Sequence, residues 1–421
     1  MRQLVWISIA AGALARGGLA AAQAVPVPLS RAQAVDAALS RGARLGVARA
    51  DTAAALARLL AARARQNPTL ATSYSRDIPR YHVAMELPVD LPGLRRSRIR
   101  SAAVGRQAAR YRFELERAAA ALEADTTYTR ALAARDRAEL SRRNARDADS
   151  LYRMAVARRD AGDASDLDVE LAAVSAGQQA NAAASDSLEL LATLLDLQTV
   201  VGLAGDQVLV VPSDSLTPPD DTPGPDVLDG VPDGVAATST AAAAPLRVAA
   251  AEASLESARL AALAQRRSRF ASPSVSAGFD TGDPTGDTHG LLPTVGIALP
   301  LPLLDRNRGG VAQAEAERER ARAELALARL ESRNQITRAL RERRIAAARV
   351  ARDRGLVASA DRVAAMALTA YREGASPIAG VLEAQRNARD VLAQYVDDLA
   401  AAWIASATLR ALALTPSPAA P

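Results

Sequence analysis

The 421-residue sequence predicts a mainly α-helical protein with a small β part, built from two similar halves that are each a long antiparallel helical hairpin. The first of three observations is an internal duplication. Leu87-Pro88, Leu91, Arg96, Ile99 and Ala102 recur as Leu299-Pro300, Leu303, Arg308, Val311 and Ala314, each pair 212 positions apart (300 − 88). The second is that the offset holds far downstream, where Gly162 matches Gly374 (374 − 162), so proline and glycine are 74 positions apart in both copies (162 − 88; 374 − 300). Loops tolerate changes of length, whereas a helix that must keep one face on its neighbours does not. The third is composition. Aromatic residues make up 3 % of a chain that is 49 % hydrophobic and rich in alanine. That mixture suits helices packed closely through small side chains better than a bulky-core α/β fold.

The elements follow in order. Residues 1–24 read as a signal peptide: Arg2, an apolar core over 4–14, and Ala22-Gln23-Ala24 as a small-x-small cleavage site. The first repeat spans 25–211. Ser30 followed by Gln33 forms a capping-box pattern that opens a helix over 31–65, and Asn67-Pro68 stops it. Strands are expected over 69–76 and 81–89. In the second, His82, Ala84 and Glu86 alternate with Tyr81, Val83, Met85 and Leu87, the pattern of a two-faced strand. A long helix over 97–160, a break at Ala161-Gly162 and a helix over 165–201 complete the half. The segment 212–244 holds many Pro, Gly and Asp residues, cannot bury enough apolar surface to fold alone, and reads as a linker lying against the outside of the helical body. The second repeat, 245–414, has a helix over 245–269, strands over 274–280 and 293–299, a long helix over 310–371, a break at Gly374 and a last helix over 378–414. Residues 415–421 are expected to form a disordered tail.

Composition also excludes function classes. All basic residues are arginine, and the net charge of +5 is spread along the helices, which argues against nucleic acid as a partner. Without cysteine there is no disulfide, no thiolate metal site and no lipidated N-terminal Cys. Two histidines, His82 and His289, provide no transition-metal site. HExxH, GxxxxGK[ST] and GxSxG motifs are missing, and the carboxylates sit singly, so neither enzyme nor cofactor is expected. Arg95, Arg96, Arg98 and Arg100 cluster where strand becomes helix, either as a membrane-interface anchor or as a solvated face.

Each long helix, at about 60 residues and ~1.5 Å per residue, would span on the order of 90 Å. Large apolar residues are sparse along the second (Leu325, Leu327, Leu330, Ile336, Leu340), and Glu–Arg pairs at i,i+3 and i,i+4 support exposed faces. Such a helix fits one stave of a wall wetted on both sides, or an antiparallel coiled-coil rod. Four strands cannot close a barrel alone, since membrane-spanning barrels begin near eight, and open edges are not allowed in lipid. A membrane role therefore needs several copies.

Two segments carry a resemblance. Leu299-Pro-Leu-Pro-Leu-Leu-Asp-Arg-Asn-Arg-Gly-Gly-Val-Ala-Gln-Ala314 and Tyr371-Arg-Glu-Gly-Ala-Ser-Pro-Ile-Ala-Gly-Val-Leu-Glu-Ala384 resemble the post-hairpin segment and the helix–turn–helix tip of TolC-like outer membrane efflux proteins. Arg159-Asp-Ala-Gly-Asp-Ala-Ser-Asp-Leu-Asp-Val169 is the matching first-half tip. The form of the first segment is most similar to the CzcC/CusC-type heavy-metal branch. The resemblance implies a homotrimer in the outer membrane, with twelve strands in one barrel and twelve helical staves in a periplasmic α-barrel. It further implies a passive exit duct that opens at its helical tips, with a periplasmic adaptor and an RND-type inner-membrane transporter as partners and heavy-metal cations as a possible cargo class. The rival reading is a periplasmic coiled-coil adaptor or scaffold without a channel. By the same resemblance, Arg159, Gly162, Ser165, Tyr371, Gly374 and Ser376 are candidate adaptor-docking residues. Acidic residues six and nine positions past the second tip glycine close the pore in many relatives. Here those positions are Gly380, a departure, and Glu383, while Asp168 stands six past Gly162. Glu383 and Asp168 are the candidate gate residues.

Overall fold

Ser30 opens the first helix through the expected capping box. Its hydroxyl oxygen accepts from the Gln33 N–H at 3.3 Å, and the Gln33 side chain accepts from the Ser30 N–H at 2.9 Å. The structure, a computed structural model, describes residues 27–77, 79–90, 92–203, 210–219, 244–268, 273–281, 291–301 and 305–416. The expected signal peptide, most of the linker, His289 and the last five residues of the tail lie outside them. In chain order the elements are β1 (Val27–Leu29), α1 (Arg31–Arg41), α2 (Ala43–Arg63), β2 (Thr69–Tyr74), β3 (Tyr81–Pro88), α3 (Pro92–Asp160) and α4 (Asp166–Val201). They continue with β4 (Val210–Pro212), α5 (Leu246–Arg267), β5 (Ser274–Thr281), β6 (Leu292–Ala298), α6 (Arg308–Arg372) and α7 (Ile378–Leu412).

The helix ends obey the duplication. Asp160 and Arg372 end the long helices 212 residues apart (372 − 160), and Asp166 and Ile378 open the return helices at the same offset (378 − 166). At 69 and 65 residues, α3 and α6 each run about 100 Å. α3 starts at Pro92, five residues earlier than the sequence predicts, because proline's missing N–H costs nothing in a first turn and its fixed φ suits one. The single helix expected over 31–65 is two. At Gly42 the backbone turns out of helix (ψ 120°), and a Cβ there would lie 2.4 Å from the Ala38 carbonyl oxygen, so the break requires glycine.

α3 is flanked by α2 and α4 on one side and by α5 and α7 on the other, and α6 packs against α5 and α7. The result is a layer of four staves in the order α2/α4, α3, α5/α7, α6. Alanine dominates its buried positions, which lets the axes approach closely. At mid-height a denser core gathers Tyr128, Leu132, Leu197, Val201, Val350 and Leu399. Beside it β1 and β4 form a parallel pair, Val27 opposite Val210. The Arg31 guanidinium is stacked between Tyr128 (5.3 Å to the ring centroid) and Trp403 (4.2 Å), bonds Thr129 at 2.9 Å and pairs with Asp125. The Trp403 indole N–H donates to the Thr217 carbonyl at 2.6 Å, and Arg135 donates to that of Pro212 at 2.9 Å. The first residues of the expected linker are therefore part of the body. The segment cannot bury itself, and helix side chains satisfy its backbone instead.

Between α6 and α7, Asp353 and Asp398 are 9 % and 4 % exposed, and Asp353 Oδ2 has no partner. Arg349 reaches Asp398 at 3.6 Å. Burial, and after it the neighbouring Asp398 carboxyl, raise the Asp353 pKa. A carboxyl raised on folding contributes stability that is fully present below its unfolded pKa, near 3.9, and is lost as pH rises through the folded value. Stability of the helical body should therefore rise on acidification from neutral pH towards that range. Asp353→Asn supplies a donor to Asp398 at every pH, so it should flatten this slope and raise the unfolding free energy measured by urea at neutral pH by the worth of one hydrogen bond, about 1 kcal/mol. An unchanged slope in the variant would exclude Asp353 as its source.

Candidate functional site: the helical tips and the two-faced sheet

Both tips are built from the same backbone device. At the first, the Gly162 N–H donates to Arg159 O at 2.9 Å and the Asp163 N–H to Arg158 O at 2.8 Å. At the second, the Gly374 N–H donates to Tyr371 O at 3.1 Å and the Ala375 N–H to Ala370 O at 2.9 Å. This is the Schellman arrangement, which needs a left-handed residue after the helix, and the two glycines have φ 85° and 74°. The fold thus assigns both glycines a turn role.

The other candidate residues separate. Arg159 is exposed and pairs with Asp160 at 2.7 Å. Ser165 is the N-cap of α4. Its backbone N–H donates to Asp168 Oδ2 at 3.0 Å and its hydroxyl to the same oxygen at 2.9 Å, so the Asp168 carboxylate is engaged in a capping box. Gly380 stands at the matching place in the second half (380 − 168 = 212), after Pro377 at the N-cap, and that tip has no such box. Ser376 is partly buried beside it, and Glu383 is exposed on the next turn of α7.

Tyr371 departs from the expectation of a docking contact. Only 3 % exposed, it packs with Leu151, Val169, Ile378 and Val381 in a core beneath the turns. Arg158, on the other half, lies over its ring at 4.8 Å and donates to its carbonyl oxygen. Tyr371 and Arg158 therefore lock the two tips together. Sequence reasoning missed Arg158. Its signal was position: a cation in the last turn of a helix, beside a break.

At the other end of the staves, β2, β3, β5 and β6 form one antiparallel sheet in that order, joined through β3 and β5. The register sorts the residues by face. Leu70, Tyr74, Met85, Phe279, Val295 and Ile297 point one way; Ser73, His82, Glu86, Ser276, Asp280 and Thr294 point the other. The apolar residues are exposed, Val295 at 82 % and Ile297 at 79 %. On the polar face His82 Nδ1 lies 2.9 Å from Asp280 Oδ1, and Ser274 donates to Glu86. Among the described residues, β2 and β6 are each paired on one side only. Among the described residues, no group of three or more His, Cys, Asp or Glu is placed to hold a metal ion, and no helix is long and apolar enough to cross a membrane.

The family model described as Outer membrane efflux protein matches residues 34–203 and 237–413. No curated protein sequence matches the chain. Among solved structures, a membrane protein from Pseudomonas aeruginosa is similar at TM-score 0.73 and 20 % identity, with 91 % of this chain and 90 % of that one covered. CusC is similar at TM-score 0.72 and 16 % identity, with 92 % of each chain covered. The Campylobacter jejuni CmeC outer membrane channel is similar at TM-score 0.72 and 15 % identity, covering 91 % and 85 %. At these identities the likeness is one of fold.

Proposed function

The chain belongs to the outer membrane efflux protein family, a family of outer-membrane channels, and from that premise we propose that three copies form the exit duct of a tripartite pump. The observation that carries the reading is the four-stranded sheet, apolar on one face, polar on the other and open at both edges. A sheet with exposed Val295 and Ile297 is stable with that face in lipid, and lipid forbids its open edges. Copies must therefore pair β6 of one with β2 of the next. Three copies supply twelve strands, with Ser73, Glu86, Asp280 and Thr294 lining the lumen. The four staves of each copy then continue the wall into the periplasm for about 100 Å. Conduction is passive. The adaptor docks on the exposed turn residues Arg159, Gly162, Ser165 and Gly374 and on the partly buried Ser376, with the tips held by Tyr371, and an RND-type transporter drives transport. Heavy-metal cations are the cargo class, by the resemblance at 299–314.

The test is extraction of the outer-membrane fraction with detergent. A trimer that conducts in planar bilayers is the expected result, and recovery as a soluble periplasmic monomer would favour the scaffold reading instead. Three exposed Glu383 side chains about one axis make a negative ring that attracts cations, with Asp168 a neighbouring candidate already held by its cap. Glu383→Gln should lower cation-over-anion selectivity at low salt. Selectivity unchanged from wild type would remove Glu383 from the gate.

A further inference from the structure

All four crossings between helix and strand carry arginines: Arg63 ending α2 and Arg65 just after it, Arg95, Arg96, Arg98 and Arg100 at the start of α3, Arg266 and Arg267 ending α5, and Arg306 and Arg308 before and at the start of α6. Part of this band has structural work. Arg95 donates to the Arg63 carbonyl at 2.9 Å and Arg98 to that of Ala62 at 3.4 Å, closing the C-terminus of α2, while Arg267 donates to the Gly93 carbonyl at 2.9 Å. The nearby acids are also engaged: Asp90 with Arg98, Glu315 with Arg266, and Asp305 with the Asn307 N–H. Five arginines remain. Arg65, Arg96, Arg100, Arg306 and Arg308 are exposed and make no ion pair or side-chain hydrogen bond with a described residue. Their charge serves no contact among the described residues.

The band lies directly below the apolar face of the sheet, where Leu87 and Leu299 are exposed at the strand ends. The opposite rim is different. In the described turn between β2 and β3, Arg76 and Arg80 stand against Asp77. Among the described residues, the helix-side rim of the sheet is the strongly cationic one. A cationic collar at the edge of an apolar belt matches a layer of anionic headgroups, with guanidinium forks suited to phosphate and aliphatic stems lying against the belt.

We propose that Arg65, Arg96, Arg100, Arg306 and Arg308 form a docking collar for anionic phospholipid headgroups of the periplasm-facing leaflet of the outer membrane. The proposal rests on the duct reading, which sets the sheet in lipid with the helices below it. In the assembled trimer the collar would repeat around the barrel and fix its depth in the bilayer.

The test uses full-length trimer in mixed phosphatidylglycerol–phosphatidylcholine vesicles, with association read from spin-labelled versions of each lipid. Wild type should prefer phosphatidylglycerol, and the preference should fall as salt rises. Replacing the five arginines by Gln should reduce it on the order of tenfold, and replacing them by Lys should keep most of it. No preference in wild type, or a full preference in the Gln variant, would overturn the collar. Inorganic phosphate added at constant ionic strength should leave the preference intact; its loss would make free phosphate the ligand and overturn the lipid assignment. Single-channel conductance in neutral bilayers separates this from the duct reading: a conducting trimer without lipid preference loses only the collar, and a non-conducting protein loses the duct.

Discussion

Val295→Arg is expected to keep the protein from accumulating in the outer membrane, while Thr294→Arg, one residue earlier, leaves insertion intact. The two positions differ only in the direction the strand gives them. Val295 lies opposite Ala277 and shares a face with Met85, Phe279 and Ile297; Thr294 lies opposite Gly278 and shares a face with Ser276 and Asp280. An arginine facing lipid near the bilayer midplane costs about 2–4 kcal/mol, and threefold repetition raises this to roughly 6–12 kcal/mol per assembly if the copies add. An arginine on the lumen face stays in water, and it should lower cation preference by opposing Asp280. The measurement is the amount of heat-modifiable trimer in the outer-membrane fraction, with single-channel selectivity for whatever inserts. Equal insertion of the two variants, or greater sensitivity at Thr294, would show that the apolar face does not meet lipid. Ile297→Arg, on the Val295 face but one pleat nearer the helices, should insert less well than wild type and better than Val295→Arg.

That test is possible because the strand pattern was legible. Alternation over 81–88 marks the faces of β3 without any structure, and the 212-residue offset places the helix ends at Asp160 and Arg372 and the turns at Gly162 and Gly374. What escaped depends on partners far away in sequence. β1 and β4 are three residues each, too short to show a period, and pair across 183 positions (210 − 27). The stacking of Arg31 between Tyr128 and Trp403 joins residues 372 apart (403 − 31). Gly42 looked like one more glycine in a helical run, and its closeness to the Ala38 carbonyl exists only once α1 has formed. At the tips the local backbone was legible, but side-chain direction was not. The turn brings Ile378 and Val381 under Tyr371, so a tyrosine that reads as surface beside a loop is enclosed.

That enclosure predicts the second large effect. Tyr371→Ala should loosen both tips together, although the residue belongs to the second half alone. The ring fills the core formed with Leu151, Ala155 and Val169 from the first half, and truncating a buried aromatic residue costs about 3–5 kcal/mol. It also removes the surface on which the Arg158 guanidinium lies. Arg158 would be left with the residue 371 carbonyl alone, and the two turns would lose the side chain that couples them. Hydrogen exchange should therefore speed up at the Asp163 amide as well as at Ala375, the two donors that close the turns. Tyr371→Phe separates packing from polarity. The hydroxyl is buried without a partner, so its removal leaves no lost bond and relieves a desolvated group; exchange should match wild type or slow slightly. Burial raises the phenol's pKa, so the ring is neutral at working pH and the contrast between Ala and Phe should not vary with pH. Fast exchange confined to Ala375 in the alanine variant would mean that the tips are independent. If adaptor binding instead fell equally in both variants, the hydroxyl itself would be the contact, and the inward placement of the ring would not describe the docked state.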